Sequence, residues 1–361
     1  MALHLSDFDY HLPQERIAQI PIRPRDQSKL LVVNRKTGTL DHHHFYDLSS
    51  LLTDRDVLVL NNSKTLPMRT FGKKMTGGSI EILFLKKIAH DISHETWEVL
   101  SRPGIKKGQI VKFFEGEREL MSLKCSGDVG YARIVDVYPM NCTVIEALHR
   151  IGQLPTPHYI HTLLSNPDDY QTIYAKPEGS AATPTAGLHF TQSLFDKLDK
   201  KGVQRIEITL HVGLGTFLPV KVDDITKHTM HKEWFMLTAK QADQLNTYKR
   251  EGRRIIAVGT TSSRVLESCS VWNEKEQRHM LQSQTGETQA FFYPPYRFKY
   301  VDALITNFHL PKSTLLMLLS AFCAQNQPFI SFQESMAGKA YTEAIKEGYR
   351  FFSFGDAMFI E

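Results

Sequence analysis

The chain has 361 residues, long for a single hydrophobic core, so two domains are the natural expectation. Hydrophobic residues make up 42% and charged residues 23%, the balance of an ordinary soluble globular protein. A net charge of +4 selects no class of partner by itself. The apolar run Leu315-Leu-Met-Leu-Leu319, extended by Ala321-Phe-Cys-Ala324, falls short of the roughly 20 residues of a membrane span and reads as a buried helix. The N-terminus lacks the basic and apolar regions of a signal peptide. Cys125, Cys142, Cys269 and Cys323 stand far apart, as reduced core thiols in the cytoplasm would.

Lys29-Leu-Leu-Val-Val-Asn34 reads as a strand, turned at Arg35–Gly38 into a returning strand at Thr39-Leu40. The three histidines His42, His43 and His44 have no acidic or cysteine partner at ligand spacing, so an exposed polar stretch is the better reading. Phe45 to Leu52 suits a short helix. Asp56-Val-Leu-Val-Leu-Asn-Asn-Ser63 is a buried strand ending abruptly in polar residues, the place where α/β proteins tend to put their sites.

From Lys64 the pattern changes. Met68–Lys73, Ser79–Leu85, Thr96–Leu100, Gln109–Phe114, Glu119–Cys125 and Tyr131–Val137 are short strand candidates separated by turn signals such as Gly77-Gly78 and Pro103-Gly104. Six such segments without a helix among them predict a small antiparallel barrel. Between Lys64 and Lys112 ten basic residues face four acids, a bias that suits a polyanion such as RNA, although a solvated lysine-rich face reads the same way. Arg69, Lys73, Lys74, Lys106 and Lys107 are the candidate RNA contacts.

Thr143–Gly152 returns to helical periodicity. The next segment, Gly179-Ser-Ala-Ala-Thr-Pro-Thr-Ala-Gly-Leu-His-Phe190, has small residues that leave its backbone open to close approach by a ligand, or that serve a tight packed connection. Thr191 then caps a helix. Beyond it strands and helices alternate: a strand at Val203–Leu210, a helix at Ala239–Arg250 and a strand at Arg254–Gly259. A helix at Thr260–Trp272, a strand at Val301–Thr306 and a helix at Ser313–Ala324 complete the pattern. The expected fold is an α/β core with a mostly parallel sheet, formed by residues 1–64 and 151–361 and interrupted by a basic β-barrel domain at 65–150.

Three strands end in polar clusters: His211-Val-Gly-Leu-Gly-Thr-Phe217, Gly259-Thr-Thr-Ser-Ser-Arg264 and Thr306-Asn-Phe-His309. In a parallel sheet these ends converge on one edge together with residues 179–190. Gly213 and Gly215 match only half of a dinucleotide fingerprint. Thr260–Arg264 reads equally well as helix capping with a salt-bridged arginine. His228 and His231 are spaced for one helical face, yet Glu233 opens a strand, so polar contacts or proton transfer are preferred to a metal.

These motifs, with Leu210–Val220, His228–Glu233, Ala257–Arg264, Thr306–Leu315 and Arg350–Met358, resemble in order and over essentially the whole chain the S-adenosylmethionine:tRNA ribosyltransferase-isomerases of queuosine biosynthesis. Thr183, Ser263 and His158 depart from the family pattern. The resemblance implies a cytoplasmic, monomeric enzyme with tRNA and S-adenosylmethionine as substrates and no membrane, metal or prosthetic group. It would transfer and isomerise the ribosyl moiety onto 7-aminomethyl-7-deazaguanine at the wobble position, giving epoxyqueuosine with release of adenine and methionine.

Against that chemistry His189, His211 and His309 are the catalytic candidates, as imidazole titrates near neutrality. Thr185, Ala186, Gly187, Leu188, Phe190, Gly213, Gly215, Thr216, Phe217, His228, His231, Glu233, Thr260, Thr261, Arg264 and Asn307 are the candidate substrate contacts. Phe190 and Phe217 would stack a base, and Arg264 would face a carboxylate or phosphate. A non-catalytic RNA-binding protein and a methyltransferase are the competing expectations.

Overall fold

The computed structural model describes every residue except 1, 2, 131, 158, 163, 165, 214, 216–218 and 325–327, so Thr216, Phe217 and His158 lie outside the described residues. In chain order, β1 (Lys29–Val33) and β2 (Leu40–His44) pair antiparallel, α1 (Leu48–Leu51) follows, and β3 (Asp56–Asn61) is buried along its whole length. After β4 (Lys64–Thr65) come β5 (Arg69–Lys74), β6 (Ser79–His90), β7 (Glu95–Arg102), β8 (Ile110–Glu115), β9 (Arg118–Val129), β10 (Ala132–Pro139) and α2 (Val144–Ile151). Then follow β11 (Glu178–Ser180), α3 (Gln192–Lys200), β12 (Gln204–Leu210), β13 (Glu233–Leu237), α4 (Ala239–Arg250), β14 (Arg254–Val258) and α5 (Gly259–Ser268). The chain closes with β15 (Ser270–Asn273), β16 (Arg278–Leu281), β17 (Gln284–Thr288), β18 (Ala303–Asn307), α6 (Thr314–Ala324), α7 (Met336–Lys346) and β19 (Ala357–Ile360).

The chain divides into two compact units. One comprises Thr65–Pro157 and Glu178–Ala182; the other comprises Met1–Lys64, His158–Pro177 and Thr183–Glu361. In the smaller unit β5 to β10 close into an antiparallel barrel in the order β10-β7-β6-β5-β8-β9. Alternation explains it: along β6, Ile80, Ile82 and Phe84 point inward to meet Trp97, Val99, Val111 and Phe113. Helix α2 adds Val144, Ala147 and Leu148 to that core, and its first turn is held by a capping box between Thr143 and Glu146.

The larger unit is built on a nine-stranded sheet in the order β17-β13-β12-β3-β14-β18-β19-β1-β2. The expectation of a mostly parallel sheet holds only in part. β12, β3, β14 and β18 run parallel, as do β19 and β1, while β17–β13, β13–β12, β18–β19 and β1–β2 are antiparallel. One of these antiparallel pairings comes from β19, a four-residue strand that inserts between β18 and β1, antiparallel to the first and parallel to the second.

The register brings distant residues to one edge. Asn307 pairs with Ala357, Leu30 with Ala357, Leu210 with Phe235 and Glu233 with Thr288. Ser28, Asp356, Glu233 and Thr288 therefore gather where β12, β3, β14 and β18 end.

Two segments depart from the sequence reading. Residues 179–190 are not an open loop: Thr185–His189 form a 3-10 turn in which Gly187 N–H donates to the Pro184 carbonyl at 3.0 Å. Helix α5 stops at Ser268, because Ser270–Asn273 pairs with Arg278–Leu281 instead. Among the described residues no helix is long and apolar enough to cross a membrane.

Candidate active site

The turn from β14 into α5 is made by Gly259, whose φ of +84° is left-handed and suits glycine. A Cβ there would meet the Ala186 Cβ at 3.5 Å, so α5 starts tight against the Thr185–His189 turn. Between them lies a cavity whose wall includes Thr183, Thr185, Ala186, Thr260, Thr261, Thr306, Asn307 and His309, closed by Tyr159, Val212, Phe352 and Ser353. Phe352 adopts φ 71°, an uncommon conformation for an aromatic residue and a mark of a constrained wall. No Asp, Glu, Lys or Arg lines this cavity among the described residues. Its polar groups are hydroxyls, an amide and an imidazole, which bind by directed hydrogen bonds rather than by net charge.

The three candidate histidines differ in what surrounds them. His309 Nε2 lies 2.8 Å from Thr306 Oγ1, its backbone N–H donates to the Tyr341 hydroxyl, and desolvation pushes its pKa down to about 3. His189 is buried, with Nδ1 2.7 Å from Ser28 Oγ and Nε2 3.1 Å from Asn307 Nδ2; burial, then Arg350 and Arg25, pushes its pKa down to about 3. Its ring stacks on Phe45 at 4.9 Å. His211 is half-buried, stacked on Trp234 at 4.9 Å, with Nδ1 2.7 Å from Ser63 Oγ; desolvation lowers its pKa, so it is neutral at pH 7. His189 is buried, whereas His211 and His309 are both half-buried, and of these two only His309 lines the cavity.

Other candidates divide between wall, neighbouring cluster and core. Arg264 is buried in an ion pair with Glu233, whose Oε1 accepts the Gly213 N–H at 2.9 Å, and Arg264 Nε donates to the Ala290 carbonyl at 3.2 Å. Its guanidinium is therefore turned to a carboxylate of the chain itself, although Nη2 has no hydrogen-bond partner among the described residues. His228 meets Phe291 edge-on at 5.3 Å and its pKa is lowered by burial and by His231. Gly215 backs onto His231, where a Cβ would come within 2.3 Å of the imidazole. No group of metal-ligating side chains occurs among the described residues.

Gly187, Leu188 and Phe190 turn inward. Gly187 faces the Tyr174 hydroxyl, 1.9 Å from where a Cβ would stand, so its small size serves packing. Phe190 is fully buried between Phe45 and Phe195, which gives its ring to the core rather than to a base.

The family model described as queuosine biosynthesis protein matches residues 5–360. An S-adenosylmethionine:tRNA ribosyltransferase-isomerase from Desulfitobacterium hafniense is 47% identical over 363 residues, covering 99% of this chain and 100% of the relative. The crystal structure of the S-adenosylmethionine tRNA ribosyltransferase from Thermotoga maritima is similar at a TM-score of 0.53 and 36% identity, covering 99% of this chain and 100% of that one. The chain belongs to the queuosine biosynthesis protein family.

It is an enzyme of the transferase and isomerase class, which removes the non-catalytic alternative. On the barrel, Lys73, Lys106 and Lys107 are exposed and Lys74 half-buried, whereas Arg69 is engaged by Glu81 at 2.9 and 3.2 Å. Sequence reasoning named Thr306 only as part of a polar strand end, and it assigned no site role to Ser28, Ser63 or Phe352. Ser63 ends the polar run after β3 and carried a signal. Ser28 is one serine before a strand and carried none.

Proposed function

We propose that the cavity at the carboxyl edge of the sheet binds S-adenosylmethionine. The enzyme then transfers and isomerises its ribosyl moiety onto 7-aminomethyl-7-deazaguanine at the wobble position of tRNA, giving epoxyqueuosine-tRNA, adenine and methionine. The observation that carries this reading is the uncharged, hydroxyl-rich cavity, walled by Val212 next in the chain to a half-buried His211 of lowered pKa, in a chain of this family. A neutral imidazole can take a proton from the carbon beside a sulfonium, and hydroxyls can orient ribose without competing for its positive charge.

In this reading His211 is the general base, held by Ser63 and Trp234. His309 and Asn307 contact the nucleoside, and His189 orients rather than titrates because both ring nitrogens are engaged. Arg264 holds Glu233, and through it the Gly213 backbone, in place. The basic barrel, 65–150 as an inserted domain, supplies Lys73, Lys74, Lys106 and Lys107 to the phosphates of tRNA, whose anticodon loop can present its base unstacked.

Product analysis tests the whole. With S-adenosylmethionine and a tRNA carrying 7-aminomethyl-7-deazaguanine, free adenine and methionine should accumulate in step with the modified tRNA. S-adenosylhomocysteine as the product would mean methyl transfer and would sink the proposal.

A further inference from the structure

Behind the cavity wall runs a chain of hydrogen bonds that joins three separate parts of the sequence. Ser28, fully buried before β1, lies 2.7 Å from His189 Nδ1; His189 Nε2 lies 3.1 Å from Asn307 Nδ2; and the Thr185 hydroxyl donates to Asn307 Oδ1 at 2.9 Å. Only Thr185 and Asn307 reach the cavity. Phe45 fixes the plane of the imidazole by stacking on it, and its own N–H donates to the Ser28 carbonyl at 2.8 Å.

The direction of this chain follows from what each atom can do. An amide nitrogen only donates, so His189 Nε2 is the bare acceptor and the ring hydrogen sits on Nδ1, where Ser28 Oγ accepts it. Asn307 Oδ1 is then turned to Thr185 and takes its single hydroxyl hydrogen. We infer that Ser28 is a positioning residue: through His189 it fixes the amide of Asn307, which holds the Thr185 hydrogen and leaves Thr185 facing the cavity as an acceptor for a ligand hydroxyl. Resting on the functional reading above, the donor it selects is a ribose hydroxyl of S-adenosylmethionine. A carboxylate, which has no hydrogen to give, is refused at this point.

Removing the Ser28 oxygen strands a buried N–H on His189. The imidazole then favours the other tautomer, whose Nε2–H opposes Asn307 Nδ2–H unless the amide turns over. A turned amide points Nδ2 at Thr185 and makes Thr185 a donor. The loss of one serine hydroxyl remote from the ligand therefore reverses the polarity of a cavity wall.

Two measurements test this. Long-range nitrogen–proton correlation spectra of histidine-labelled protein should show wild-type His189 in the Nδ1–H form, and Ser28→Ala should move it toward Nε2–H. A wild-type Nε2–H form overturns the relay. Calorimetric titration with S-adenosylmethionine and with its 2′- and 3′-deoxyribose analogues reads the consequence. Wild type should bind the parent about tenfold tighter than one of the analogues, and Ser28→Ala and Thr185→Val should each lose about that factor for the parent only. Ser28→Thr, which restores the oxygen, should recover it. Wild-type affinity in a folded Ser28→Ala, or undiminished discrimination in Thr185→Val, overturns the inference. If wild type does not bind S-adenosylmethionine at all, the functional reading fails, and the tautomer spectra still decide the relay by themselves.

Discussion

The openings at the two edges of the nine-stranded sheet differ in chemistry: charged side chains line the cleft at the amino edge, and among the described residues none lines the cavity at the carboxyl edge, whose Arg264–Glu233 pair lies outside the cavity wall. At the amino edge Arg254 donates to Asp56 at 2.7 Å and to Glu361 at 2.6 Å, Lys249 pairs with Asp302 at 2.7 Å, and Arg35 donates to the carbonyls of Phe322 and Asp302 while covering the Phe322 ring. The carboxyl edge offers threonines, Asn307 and neutral histidines. The cleft at the amino edge is about 930 Å³ against about 90 Å³ for the carboxyl-edge cavity, so the proposed site rests on its chemistry and not on its size. The charges of the amino edge satisfy one another and fasten the last residue of the chain to β14, leaving little for a ligand. Groups held in place but incompletely satisfied are what a ligand can use.

The comparison breaks or sharpens on three measurements. Asp56 is almost fully buried and accepts from Arg254 and from the Thr53 N–H at 2.8 Å. Asp56→Ala should cost about 2 kcal/mol in urea unfolding with turnover per folded molecule unchanged, because it removes the buried acceptor of the Thr53 N–H and one of the two carboxylates on Arg254, away from the cavity. Lost turnover at unchanged stability would give the amino edge a catalytic part. His211→Ala should do the reverse, lowering kcat/KM by about 100-fold or more while leaving unfolding close to wild type. Near-normal turnover would remove His211 from proton transfer.

The smallest effect is acid sensitivity. Burial holds the folded pKa of His189 at about 3 against an ordinary 6.5, so the folded state excludes a proton that the unfolded chain accepts. That stability is fully present above pH 6.5 and erodes as pH falls towards 3, by about 2 kcal/mol from this residue between pH 7 and pH 5. His309 acts in the same direction. Unfolding at the two pH values measures it, and His189→Gln should flatten the dependence. An equally steep dependence in that variant would place the acid-labile groups elsewhere.

Much of this architecture was legible before the structure. The unbroken apolar run of β3 and the period-2 segments of the barrel carry their burial in local pattern, as does the helix capped by Thr143 and stopped at Gly152. The polar ends of β12, β14 and β18 were visible as breaks in apolar runs, which is why Thr260, Thr261, Asn307 and His309 were found on the cavity wall. Other residues were not legible. Phe190 is an aromatic beside glycine and histidine whether it stacks a ligand or fills a core, and only Phe45 and Phe195 decide between them. The small residues of 179–190 suggested open backbone, yet Gly187 is small to admit a tyrosine hydroxyl.

The sequence alone determined β1, β3, β12, β14 and β18, the barrel and the family, because hydrophobic period and ordered motifs are written in neighbouring residues. Only the tertiary structure decided that β19 enters antiparallel beside β18, that Arg264 answers to Glu233, and that His189 and His211 have different surroundings. The physical reason is common to all three. Strand partners, ion-pair partners and desolvation are set by residues 31 to 161 positions away, and no local pattern records them.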